Sequence, residues 1–371
     1  MERTRPPSPT FIFRAMASLR SLLRSALSLL LPPVAWAGGR PHRAPCVAGV
    51  RAMRLRSRAW VAVVTVTTAA FLCPTEADAQ TREVAFSTDE GTWLSLDVSP
   101  RGDGLVFELL GDIYALPVAG GAARPVLTGT AFQSQPRYSP DGLWLAYISD
   151  ESGADNLWVA RSDGSGARPI TDRTGSTFIS PEWSVDGETL FVTVVTGAFQ
   201  RVAELWGFDV ADGSETRLLE NGNGPPAPLV SSPAPGPYGG SVAPDGSIYY
   251  TSVTPRPYGS RTGASSAVMR YDPAVGRSAP VPLEGIQAMK PRVSPDGRTL
   301  VYAAMRDGRT GLKARDLSAG TERWIAYPIQ RNHLEGRATR DLLPNYAFTP
   351  DGSALLVELR GRIHRLDLNT D

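Results

Sequence analysis

Ser139-Pro140-Asp141-Gly142 sits between two strand-like runs, and variants of this tetrapeptide recur five more times. Its chemistry is that of a tight turn. Proline presets φ, aspartate bonds its own backbone, and glycine accepts φ > 0 without a Cβ clash. The other copies are Ser99-Pro100-Arg101-Gly102, Ser184-Val185-Asp186-Gly187, Ala243-Pro244-Asp245-Gly246, Ser294-Pro295-Asp296-Gly297 and Thr349-Pro350-Asp351-Gly352. An apolar run follows each turn, for example Leu143 to Tyr147 and Leu300 to Ala304. Such runs suit strands packed on both faces. The turns fall at 100, 140, 185, 244, 295 and 350, in steps of 40, 45, 59, 51 and 55 residues. A period of roughly 40–50 residues with several strands per unit points to a propeller.

The units repeat beyond the turn. In the first, Leu105 to Leu109, Ile113 to Pro117 and Arg124 to Leu127 read as successive strands after the inner one, joined by glycine-bearing turns. The second and third units align turn for turn, at Asp163-Gly164 and Asp212-Gly213. The expected fold is therefore all-β: six four-stranded antiparallel blades in a propeller. The sixth unit lacks an outer strand before the chain ends at Asp371, and Arg82 to Phe86 reads as the strand that replaces it. Pairing there would close the ring and hide a sheet edge. Asn221 to Pro237 holds six prolines and no strand pattern, so it reads as a loop.

Three segments follow: 1–52, a disordered leader or over-extended start; 53–79, a signal peptide; and 80–371, the propeller. Met53 to Arg58 is a basic n-region, Ala59 to Leu72 an apolar h-region, and Ala77-Asp78-Ala79 a small-x-small cleavage site. The apolar run is short for a membrane span, which needs about 20 residues. The expected location is periplasmic or secreted, with no membrane span in the mature chain. Both cysteines, Cys46 and Cys73, lie in the leader, so a mature chain has no thiol for disulfides or metal. Residues 1–79 carry 11 arginines against three carboxylates, which leaves the remainder at −7 within a net charge of +1. An acidic body argues against a nucleic-acid partner.

The repeated S-P-D-G turn followed by an apolar strand resembles the TolB-like propellers, and the likeness covers residues 82–371. Glu90-Gly91-Thr92-Trp93, Leu110-Gly111-Asp112-Ile113-Tyr114, Ser134-Gln135-Pro136-Arg137, Asp155-Asn156-Leu157-Trp158 and Ala338-Thr339-Arg340-Asp341 resemble the amino-terminal propeller of large secreted amidohydrolases. That resemblance implies a metal-dependent hydrolase barrel downstream, and no such barrel is encoded in these 371 residues.

Catalytic motifs are not found. A metal site of that hydrolase type needs a His-x-His pair and further ligands. The only histidines are His42, His333 and His364. There is no Gly-x-Ser-x-Gly elbow, HExxH or phosphate-binding glycine loop. The recurring Asp-Gly pairs lack the clustered carboxylates of a calcium loop, and Asp150 to Asp155 comes nearest. No catalytic residue, metal or cofactor is expected. The candidate binding segment is Tyr327 to Asp341, within the long polar connection that runs to Pro344, with Arg331, His333, Arg337, Arg340 and Asp341. Long loops in compact domains often carry function; the competing role is an ion-paired brace between blades. The expected partner is a protein or peptide at the channel mouth, or a downstream hydrolase domain.

Overall fold

The computed structural model describes residues 86–197, 201–220, 235–254, 265–329, 334 and 340–368. They form six antiparallel sheets and, among the described residues, no helix. Blade 1 is β1 (Leu96–Val98), β2 (Gly104–Leu109), β3 (Asp112–Pro117) and β4 (Arg124–Leu127). Blade 2 is β5 (Gln133–Tyr138), β6 (Trp144–Ser149), β7 (Asn156–Arg161) and β8 (Arg168–Pro169). Blade 3 is β9 (Ser176–Trp183), β10 (Thr189–Thr196), β11 (Val202–Asp209) and β12 (Glu215–Leu219). Blade 4 is β13 (Gly236–Val242), β14 (Ile248–Thr254), β15 (Ser265–Asp272) and β16 (Arg277–Pro280). Blade 5 is β17 (Ile286–Val293), β18 (Thr299–Arg306), β19 (Arg309–Asp316) and β20 (Glu322–Ala326). Blade 6 is β21 (Ala347–Phe348), β22 (Ala354–Leu359) and β23 (Arg362–Asp367).

Each sheet is a meander with consecutive strands as neighbours. The fold is a six-bladed β-propeller. β13 begins inside the stretch read as loop: Gly236 and Pro237 pair with Val253 and Ser252. Residues 221–234 of that stretch lie outside the described residues.

The inner turns are built alike. The Ser139 hydroxyl donates to Asp141 Oδ1 at 2.5 Å, and the same oxygen accepts the Leu143 N–H at 2.9 Å. Ser139 Oγ in turn accepts the Trp144 N–H at 2.9 Å. Ser184 with Asp186, Ser294 with Asp296, and Thr349 with Asp351 repeat the hydroxyl-to-carboxylate bond. The fourth unit has Ala243 in place of serine, and Ser247 supplies the hydroxyl to Asp245 at 2.5 Å. Neighbouring turns also stack. Gly142 has φ 72°, and a Cβ there would lie 3.4 Å from Cδ of Pro100. Gly297 meets Pro244 and Gly352 meets Pro295 in the same way. Gly102 meets Pro350 at 3.5 Å, which carries the stacking from the last unit to the first.

The apolar core lies chiefly between blades. Val106, Ile113 and Leu127 of blade 1 pack with Leu145, Tyr147 and Trp158 of blade 2. Leu94, Leu96 and Phe107 pack with Ala347 and Leu356, joining blade 1 to blade 6. At that junction Gly91 N donates to Gly361 O at 2.8 Å, and Arg362 pairs with Asp89 at 2.6 Å. Blade 6 has three strands among the described residues. The closing strand expected at 82–86 falls almost wholly outside them, and Phe86, which is described, is not in a strand.

Two outcomes are expected. Gly102→Ala combines a positive-φ penalty with contact on Pro350 and should cost about 1–2 kcal/mol in urea unfolding. If residues 82–86 complete blade 6, deletion of 80–88 lowers the melting temperature; an unchanged value would count against the pairing.

Candidate functional site

Because the turns align, the residues five and three positions before each turn's second residue form two layers around the axis. The upper layer is Ser95, Gln135, Ser180, Gly239, Lys290 and Asn345; the lower is Asp97, Arg137, Glu182, Ser241, Arg292 and Ala347. In blades 2 to 5 the inner strand carries a bulge at the upper layer, seen as register shifts in β5, β9, β13 and β17. The bulged residue takes a left-handed φ: 56° at Gln135, 55° at Ser180, 59° at Gly239 and 52° at Lys290. Such a bulge re-aims a side chain and frees its N–H from the ladder. Each freed N–H finds a side chain of the preceding blade. Gln135 N donates to Glu108 Oε2 at 2.5 Å, Ser180 N to Gln135 Oε1 at 2.7 Å, Gly239 N to Thr193 Oγ1 at 3.0 Å and Lys290 N to Thr251 Oγ1 at 2.8 Å.

The lower layer is an ionic chain across the axis. Arg137 lies between Asp97 at 2.7 Å and Glu182 at 2.8 Å. Arg292 pairs with Glu182 Oε2, an oxygen that Arg137 also contacts, and donates to Asn345 Oδ1 at 3.3 Å. Four blades and the approach to a fifth strand, β21, are thereby cross-linked. Burial would raise the Glu182 carboxyl, but Arg137 and Arg292 outweigh it and hold the group below its usual range. At Asp97 burial wins over the pull of Arg137, and the carboxyl is raised.

The upper layer is closed by Asp341. Its carboxylate accepts from Lys290 Nζ at 2.5 Å and from the Ser180 hydroxyl. Lys290 also donates to Ser180 Oγ at 2.8 Å. Burial brings the Lys290 ammonium down to about 8 against the opposing pull of Asp341. Burial likewise pushes the Glu108 carboxyl up to about 7, and its Oε1 has no hydrogen-bond partner among the described residues. Asp341 is anchored from behind by Leu342, Leu343 and Tyr346, all in the core.

Below the ionic chain a cavity of about 350 Å³ opens among the inner turns. Its floor is Asp97, Arg137, Glu182 and Arg292, and its wall includes Pro140, Val185, Pro244, Pro295 and Phe348.

Of the residues singled out in the long connection, Arg331, His333 and Arg337 lie outside the described residues. Arg340 is exposed, with its guanidinium 3.9 Å from the centroid of the Phe132 ring, and its carbonyl accepts from Gln135 Nε2. Asp341 is buried in the channel, where it braces blades 3 and 5 and lines no open surface. His364 is exposed on β23. Asp150 is tied to the Phe132 N–H at 2.6 Å. Among the described residues no group of three His, Cys, Asp or Glu is placed to hold a metal ion. Sequence reading passed over the two axial layers. Their signal was available: with the units aligned on the turn, Asp97, Arg137, Glu182 and Arg292 occupy one column of the inner strands.

Solved TolB structures share this fold. TolB from Acinetobacter baumannii superposes with a TM-score of 0.53 at 17% identity, over 75% of this chain and 63% of that one. A putative TolB from Agrobacterium tumefaciens gives 0.53 at 24% identity, over 73% and 91%. The chain thus has the β-propeller fold seen in these TolB structures. Among curated proteins it is 38% identical over 87 residues to the uncharacterized peptidase YuxL of Bacillus subtilis, a match covering 23% of this chain and 13% of YuxL. It is 29% identical over 150 residues to the lasso peptide isopeptidase AtxE2 of Asticcacaulis excentricus, covering 38% and 20%. The matched stretches thus span only about an eighth to a fifth of these two relatives' length. No family model matches the chain.

The axial pairs generate two expectations. Lys290→Met strands a buried carboxylate and should cost about 3–5 kcal/mol, whereas adding Asp341→Asn should recover much of it in a double-mutant cycle. The folded state holds the Glu108 proton more tightly than the unfolded chain, whose carboxyl titrates near its ordinary 4.5. Its stabilisation is therefore complete below 4.5 and lost as pH rises through about 7. Glu108→Gln keeps the acceptor for Gln135 and removes the titration. Chemical denaturation should show a flatter pH dependence between these values, and a variant up to about 3 kcal/mol more stable than wild type above pH 7.

Proposed function

We propose that this chain is an exported, non-catalytic recognition propeller that binds a peptide or protein partner at the channel mouth framed by the inner turns. The cavity floored by Asp97, Arg137, Glu182 and Arg292 carries this reading. It combines an apolar wall with a few fixed polar groups at its base, the usual make-up of a binding pocket. The stacked Lys290–Asp341–Ser180 layer lies behind that floor, so a ligand has a stop to rest against. A peptide is the natural occupant class, because two relatives are named as a peptidase and a peptide isopeptidase. Export rests on the signal at 53–79, which lies outside the described residues; no described helix is long and apolar enough to cross a membrane.

The same relatives favour a second reading, in which the propeller is the amino-terminal part of a hydrolase, such as the metal-dependent amidohydrolases its sequence resembles. Its role would then be to hold or admit substrate beside a barrel outside these residues.

Selection of a random peptide library on the full chain tests the first reading. Val185 is 54% exposed at the rim, so Val185→Trp should fill the mouth without disturbing the fold. Enriched peptides are expected to bind wild type and to lose at least about tenfold in affinity on the variant, a ΔΔG near 1.4 kcal/mol. Equal binding to both proteins, or no enrichment, would overturn it.

A further inference from the structure

The inner-turn end of the propeller carries charge of one dominant sign. Asp141, Asp186, Asp245, Asp296 and Asp351 occupy the same place in five turns, and only the first turn has a cation there, Arg101. Asp103 and Glu188 add to the negative charge, while Arg298 opposes it. Arg270 pairs with Asp245 at 2.8 Å, and the other four turn aspartates have no pairing as short as this. Hydrogen bonds from Ser139, Ser184, Ser294 and Thr349 hold Asp141, Asp186, Asp296 and Asp351 below the usual carboxylate range, Asp351 at about 2. The ring is therefore ionised at any working pH. Because the blades are meanders, the outer turns with Asp163, Asp212 and Asp316 share this end.

Inside the ring stand Pro140, Val185, Pro244 and Pro295, and beneath them the ionic floor. The floor is itself balanced, two guanidinium groups against two carboxylates. Its carboxylate ends are the more open: the Glu182 side chain is 12% exposed against 5% for Arg292. Each carboxylate oxygen accepts at least one hydrogen bond from within the fold, and both groups border the cavity.

From this geometry we infer that the channel mouth selects a basic, partly apolar peptide segment, whose lysine or arginine enters the cavity. The inference rests on the peptide-binding reading above and names the occupant. The long side chain of such a residue lays its methylenes along the proline wall and carries its charge toward Glu182 and Asp97. The aspartate ring draws a cationic segment in and turns an acidic one away. The charge that favours this occupant lies on turns that are fixed by their own hydrogen bonds, so no rearrangement is needed to present it.

The test is fluorescence anisotropy on the full chain with two labelled dodecapeptides. One alternates lysine and arginine with leucine; its twin carries glutamate at every cationic position. The cationic peptide should bind at least about tenfold tighter than its twin at 50 mM NaCl, and weaken about five- to tenfold by 300 mM. Asp141→Asn with Asp186→Asn keeps the side-chain acceptor of each turn and removes two charges. This variant should weaken cationic binding about three- to fivefold, with a single cooperative urea transition, at a slightly lower midpoint, showing that the turns survive. Equal affinity for the two dodecapeptides, preference for the acidic one, or full cationic binding to Val185→Trp would overturn the inference. If library peptides of neutral or acidic character bind at Val185 and the cationic one does not, the basic occupant is refuted and the peptide-binding reading stands. If no peptide of any charge binds, both fall.

Discussion

The contact between one inner turn's glycine and the preceding turn's proline sets the spacing at five of the six junctions, those of Gly102, Gly142, Gly187, Gly297 and Gly352. A residue with a Cβ cannot take a φ near 70° cheaply at Gly142, although its Cβ would meet Pro100 in ordinary contact. Five of the six turns are made rigid by a hydroxyl and a carboxylate, as at Ser139 and Asp141. Only then does stacking of turn on turn fix the angle between blades. The contact of Gly102 with Pro350 shows that the same unit also joins the two ends of the repeat. The apolar clusters between blades supply the larger part of the stabilisation, since they take aromatic and branched side chains out of water. The turns decide which arrangement those clusters adopt.

Holding six inner strands around one axis creates a difficulty that the bulges resolve. Strand residues facing the axis crowd a narrow space, and their amides have no strand partner on that side. In blades 2 to 5 one residue twists to a positive φ and sends its N–H to the preceding blade, and at Gln135, Ser180 and Lys290 it also turns a side chain inward. The inward side chains then need partners of their own in a buried setting. Ser180 and Lys290 meet Asp341, Gln135 meets the Arg340 carbonyl, Arg137 meets Asp97 and Glu182, and Arg292 meets Glu182. The result is a polar axis within an apolar body. One end is filled by Asp341 and the other opens as a cavity.

Chain order and axial chemistry were legible to different degrees. The six turns and most strands could be read from Ser139-Pro140-Asp141-Gly142 and its copies, because turn residues act through their own backbone and need no distant partner. The start of β13 could not be read, because Pro237 sits in an inner strand where its missing N–H costs little and its carbonyl still accepts from Thr193. Asp341 stood out as a polar residue in a long loop, yet its role depended on Lys290, fifty-one residues away. Glu182 and Arg292, 110 residues apart, carry no local sign that they touch.

The sequence alone determined a closed set of β-meanders with an acidic body, since turn chemistry and apolar alternation are properties of neighbouring residues. Tertiary structure alone decided that Asp341 fills the axis, that Arg137 is shared by two carboxylates, and that the open cavity lies at the turn end. Those outcomes depend on side chains that become neighbours only once six blades are held at a common radius. Nothing in their spacing along the chain encodes the distance between them.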